Sequence, residues 1–192
     1  MPKSMYGLSR TGKNPEIQST ELGELITVGV AHELVESGRL WTLNYREPSV
    51  ANNGIARLLV KVGTNPLRAI DIKVTSGGES FFRTISNPTT TADGTAPGTN
   101  VATSKLTVFP RNPVAAVPLL TQFFHTPTYT AGTGQLRGNV PIHGGTGPFS
   151  TGSTGDLNTE SQIAHGSVFM IEVTNISGSA QQIGIQIDMY EE

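Results

Sequence analysis

The segment from Val168 to Tyr190 constrains the fold most, because it alternates apolar and polar side chains along two arms separated by turn-forming residues. Phe169, Ile171 and Val173 fall on one face of the first arm, and Ile183, Ile185, Ile187 and Met189 on one face of the second. That period of two belongs to half-buried strands. Asn175, Ser177, Gly178 and Ser179 supply the turn chemistry between the arms, which predicts a two-stranded hairpin clipped onto a sheet.

The same grammar recurs upstream. Strand signals occur at Leu25–Val30 and again at Leu40–Tyr45 around a turn at Glu36-Ser37-Gly38, which predicts a first hairpin or meander. Asn52-Asn53-Gly54 marks a turn, after which Ala56, Leu58, Val60 and Val62 share one face and Arg57 and Lys61 the other, predicting a strand with one wet face. Ile70, Ile72 and Val74 are expected to point inward from the next strand, and Glu79–Ile85 forms another. Leu106–Pro110 and Leu119–Phe124 read as strands interrupted by Pro110, Pro113 and Pro118, which lack an N–H and belong at edges, bulges or connections. Residues 87–104 and 132–155 are long loops rich in Gly, the first also in Thr and Pro. Residues 1–23 show no sustained period and form an arm, either extended or with a short helix after Asn14-Pro15-Glu16, leaving 24–192 as one domain. With 22 glycines and 12 prolines in 192 residues, helical bundles are disfavoured. About nine short strands joined by long turns predict an all-β antiparallel sandwich of jelly-roll type.

Charge and composition exclude several partners. A net charge of −2 offers no basic stripe, so no nucleic acid is expected. Without cysteine there is no disulfide framework, which suits assembly in a reducing cytoplasm. No segment approaches the ~20 apolar residues of a membrane helix, and residues 1–7 lack the apolar run of a signal peptide, so the chain reads as soluble with no membrane partner.

Candidates for chemistry are weak. His32, His125, His143 and His165 are scattered without metal-ligand spacing and read as surface or structural residues. Arg10-Thr11-Gly12-Lys13 lacks the upstream glycine and the Ser/Thr of a phosphate loop. His143-Gly144-Gly145 resembles an esterase oxyanion loop, but no Gly-x-Ser-x-Gly elbow supplies a nucleophile. Asp71 with Glu79, and Asp156 with Glu160, lack the dense ligand spacing of a calcium loop and read as solvated acids. Asn175-Ile176-Ser177 fits a glycosylation sequon, which matters only on a secretory route. Trp41 and Tyr45 share a strand face, read as core packing in preference to a sugar-stacking platform. No catalytic residue, cofactor or metal is expected, and no enzyme.

Phe109-Pro110-Arg111-Asn112, then Thr126-Pro127-Thr128-Tyr129-Thr130, then Val173–Ala180 followed by an alternating strand ending in Tyr190-Glu191-Glu192, resembles the C-terminal part of tailed-bacteriophage virion proteins of the head-decoration, head-fibre and auxiliary kinds. The resemblance spans about residues 25–192 and is looser in the front half, through Trp41, Tyr45 and Leu58–Val62. It implies a jelly-roll or tumour-necrosis-factor-like sandwich, usually trimeric, on the capsid exterior, with the major capsid protein and further copies of itself as partners and no catalytic residues to transfer. The Pro113–Pro118 segment and the glycine loops depart from that pattern. Two other classes are a tail- or fibre-associated receptor-binding domain and a carbohydrate-binding module.

Overall fold

The computed structural model describes residues 5–6, 16–19, 25–26, 30–99, 103–143, 152–153 and 161–192. Three short strands, β1 (Met5–Tyr6), β2 (Glu16–Ser19) and β3 (Leu25–Ile26), pair antiparallel in a sheet of their own. The extended alternative, not a helix, therefore holds over Met5–Tyr6 and Glu16–Ser19; the other residues of the 1–23 arm lie outside the described residues. There follow α1 (Val30–Glu36), β4 (Trp41–Val50), β5 (Ile55–Lys61), β6 (Leu67–Ser76), β7 (Ser80–Ser86), β8 (Thr90–Ala92), β9 (Leu106–Pro110), β10 (Gln122–His125), β11 (Thr128–Tyr129), β12 (Gln135–Ile142), β13 (Gly152–Ser153), β14 (Ser161–Ile163), β15 (Val168–Asn175) and β16 (Gln181–Glu191).

Two antiparallel sheets face each other, making the all-β sandwich expected from the alternation. One has the order β10-β5-β15-β7-β12 and the other β13-β6-β16-β4-β9, with β14 also pairing β6. Between them lies one core. Leu43, Leu58, Leu106, Ile171, Val173, Ile183 and Ile185 are each at most 2% exposed within it. Burying a side chain of that size contributes about 1.5–3 kcal/mol, so the inward rows of the two sheets hold the layers together.

The C-terminal hairpin is the main correction. β15 pairs with β5 and β7, whereas β16 pairs with β4 and β6 in the opposite sheet. The 175–180 turn arches across the core, and the inward faces of β15 and β16 meet there. Alternation alone cannot separate a hairpin from an arch, because both bury one face of each arm. β4 through β7 likewise change sheets at every step.

Smaller differences have local causes. Residues 30–36 form α1, not the end of a strand; Ala31, Glu33, Leu34 and Glu36 favour helix, and Leu34 is buried. Gly38 ends the turn after it at φ +69°, a conformation that costs glycine little. On β6 the expected inward Ile70 is displaced. The ladder to β16 shifts register between Asp188 and Met189, so Leu67 and Ala69 fill the core beside Ile72 and Val74. β10 begins at Gln122, leaving Leu119 and Leu120 outside any strand. Inside the predicted 132–155 loop, β12 pairs with β7 along its whole length; Gly138 and Pro141 had masked its strand pattern.

Candidate functional site

Arg57, on the face of β5 predicted to be wet, is partly covered, its side chain 29% exposed. It stands in register with Glu172 of β15, Arg83 of β7 and Asn139 of β12, forming a polar row across the outer face of the five-stranded sheet. Arg57 Nε donates to Glu172 Oε1 at 2.7 Å, and Arg83 Nε donates to Asn139 Oδ1 at 3.3 Å. Glu172 is only 2% exposed. The neighbouring row, Leu59, Met170 and Ile85, is buried beneath Phe124, Tyr129 and Val168. The cover comes largely from an excursion formed by residues 87–99 and 122–134, where β8 pairs with β11, Tyr129 lies 5.1 Å from the Arg57 guanidinium and Lys61 Nζ meets Asp93 Oδ2 at 2.6 Å. Burial, and then the charge of Glu172, raise the Tyr129 pKa, so its phenol stays protonated.

A cleft of about 230 Å³ opens beside this row between β4 and β5, lined among others by Tyr45, Glu47, Ser49, Arg57 and Thr126. Tyr45 is 2% exposed, donates to Glu47 Oε2 at 3.4 Å and stacks on His125 with ring centres 5.9 Å apart. Burial and the adjacent Glu47 charge push the Tyr45 pKa well up. Lys105 Nζ donates to both Glu47 oxygens at 2.7 and 3.0 Å. Burial, then the charge of Lys105, lower the His125 pKa, with Glu47 opposing. Thr126 holds a φ of +57°, rare for a β-branched residue, and its Oγ1 lies 2.9 Å from His125 Nδ1. Each charged group here is matched by another of the chain, Glu47 by Lys105 and Arg57 by Glu172. The arrangement locks β4, β5 and the excursion together and holds Tyr45 as a hydrogen-bond donor.

The sequence candidates are dispersed. His32 faces Glu36 at 3.6 Å on α1, His143 and His165 are exposed, and His125 stacks on Tyr45, which lines the cleft. Asp71 and Glu79 are not brought together. Asp71 instead stands directly opposite Asp188 on β16, the pair being offset by Lys73 on Asp71 (2.6 Å) and Arg111 on Asp188 (3.0 Å). Asn175 is fully buried and donates to Val50 O and Ser179 O, so the sequon asparagine is a turn pin. Trp41 and Tyr45 pack against or within the core, as expected. The 10–13 motif, Gly144-Gly145, Asp156 and Glu160 lie outside the described residues. The polar row was missed, although Glu172 as the lone acid in Val168–Val173 was its visible signal. Among the described residues no group of three or more His, Asp or Glu is placed to hold a metal, and no helix is long and apolar enough to cross a membrane.

No known family profile matches the chain, and no curated protein does. Among solved structures, the chain is similar to the VP2 subviral particle of infectious bursal disease virus at 13% identity and a TM-score of 0.20, over 80% of this chain and 42% of that one. The chain thus spans about two fifths of that protein's length, and a likeness this slight carries no argument.

Proposed function

We propose that this chain is a structural virion protein that binds the exterior of a phage capsid and stabilises the shell, acting as a trimer. The reading starts from the sequence resemblance over about residues 25–192. The observation that supports it is the strand order, β4-β16-β6-β14 facing β5-β15-β7-β12, with every step from β4 to β7 changing sheets. We read that order as a jelly roll, an architecture used by viral capsid and lectin domains. Fold alone does not carry function, so the decisive test is in the particle. Many equivalent sites on a shell turn modest single-site affinity into a durable coat. Residues 1 to about 23 serve in this reading as an arm that reaches a neighbouring subunit or the shell.

The expected copy number in purified particles, by quantitative mass spectrometry, is comparable to that of the major capsid protein. A handful per particle would move the protein to a tail or fibre, and absence from particles would end the virion reading. Light scattering should give a trimer mass. Deleting residues 1–20 should weaken binding to shells.

A further inference from the structure

Between β9 and β10 the chain runs Pro113-Val114-Ala115-Ala116-Val117-Pro118-Leu119-Leu120, eight residues with no polar side chain, of which only Leu119 turns toward the core. The other seven are exposed: Val114 at 96%, Val117 at 49% and Leu120 at 52%. Scattered apolar side chains on a surface need no explanation, but an uninterrupted apolar run does.

The ribbon is held by its backbone. Val117 N donates to Gly38 O at 3.0 Å, and Trp41 Nε1 donates to Val117 O at 3.0 Å. Val114 N donates to Asn112 Oδ1, and the Glu191 carboxylate accepts from Leu120 N and Thr121 N, the latter at 2.7 Å. Pro113 and Pro118 fix their own φ angles. These polar groups are spent inward while the apolar side chains are turned outward, so little ordering entropy remains to be lost on docking.

We propose that residues 113–120 are the ridge by which this protein seats on the shell, inserting into an apolar groove of the capsid subunit; the inference rests on the function proposed above. Three observations select that occupant. A residue 96% exposed stands on a convex ridge, so the partner supplies the concavity. The flanking charges are engaged within the chain, Arg111 by Asp188, Glu191 by two backbone N–H groups and Arg39 by the Glu191 carbonyl, which leaves the ridge neutral and suits neither a polyanion nor lipid headgroups. Seven such side chains offer on the order of a few hundred Å² of apolar surface, short of the ~800 Å² per partner that a free-standing pair of copies buries. On a shell, where each subunit of an oligomer docks at once, a contact of that size suffices.

The test is binding of the full-length protein to purified shells lacking it, comparing wild type, Val114→Asp/Val117→Asp, the single variant Val114→Ser, and the control Leu136→Asp, which alters an exposed residue on β12. The double variant should lose about a hundredfold in affinity, since two carboxylates would enter an apolar contact. Val114→Ser should lose severalfold, and the control should bind like wild type. Melting temperature and solution mass should not change in the single variant. Val114→Ser guards against misfolding, because a side chain so exposed supports little of the fold. Undiminished binding by both ridge variants overturns the inference while leaving the functional reading intact; failure of wild type to bind shells defeats that reading itself. A change of oligomer mass in the ridge variants, or ridge-dependent capture by lipid vesicles, would also overturn the inference by assigning the ridge to another occupant.

Discussion

Asn175 shows how much one side chain can hold. Its amide donates to Val50 O and Ser179 O at 2.8 and 2.7 Å, while its Oδ1 accepts from Ser177 N and Oγ, so it ties the β15–β16 arch to the end of β4. Asn175→Ala removes the side-chain donor from the buried Val50 carbonyl and the acceptor from Ser177 N and Oγ, and is expected to cost about 1–3 kcal/mol in urea unfolding. Asn175→Asp should be nearly as harmful, because a carboxylate cannot donate. Glu172→Gln keeps the shape but removes the charge facing Arg57, and about 2 kcal/mol of destabilisation is expected. His125 makes a pH-dependent contribution. Its folded pKa lies below the ordinary 6.5, so the fold disfavours the imidazolium. Stability is therefore complete above the unfolded pKa and falls as pH drops from there through the folded value. Melting temperatures between pH 7.5 and 5 should decline more steeply in wild type than in His125→Phe, which keeps a ring against Tyr45 without the titration.

At the scale of elements, Gly38 is the joint between α1 and the exposed ribbon. A Cβ there would overlap the Ala115 carbonyl, and the φ of +69° disfavours any other residue. Gly38→Ala should destabilise by about 1–3 kcal/mol and displace the ribbon, seen as altered Trp41 fluorescence, because Trp41 donates to Val117 O. The excursion over β5, β15 and β7 teaches a related lesson. Its Thr-, Gly- and Pro-rich sequence provides little apolar surface, yet Phe124 and Tyr129 are enough to cover the Leu59, Met170 and Ile85 row. Leu59 breaks the polar parity of Arg57 and Lys61, and that break was the legible sign that the outer face is only partly wet.

Across the whole molecule, the sheets are built from strands far apart in sequence. β4 pairs with β16 and β5 with β15, so few ladders form before most of the chain is in place. Folding is accordingly expected in the slow range, roughly milliseconds to seconds, as for other domains dominated by non-local pairing, and stopped-flow refolding would measure it. The inward rows of β5, β15 and β16 were legible because burial on one face writes a period of two into the chain. Partnership between strands leaves no such mark. Phe169 to Val173 and Ile183 to Met189 alternate in the same way whether their strands share a sheet or oppose each other across a core. The same holds for the polar row. Arg57, Glu172, Arg83 and Asn139 come from four separate strands, and only register brings them into line. Local alternation, turn chemistry and composition are properties of neighbouring residues and could be read from the chain; the division of strands between sheets, the cover over the outer face and the exposure of residues 113–118 arise from contacts between distant segments, which a linear pattern does not encode.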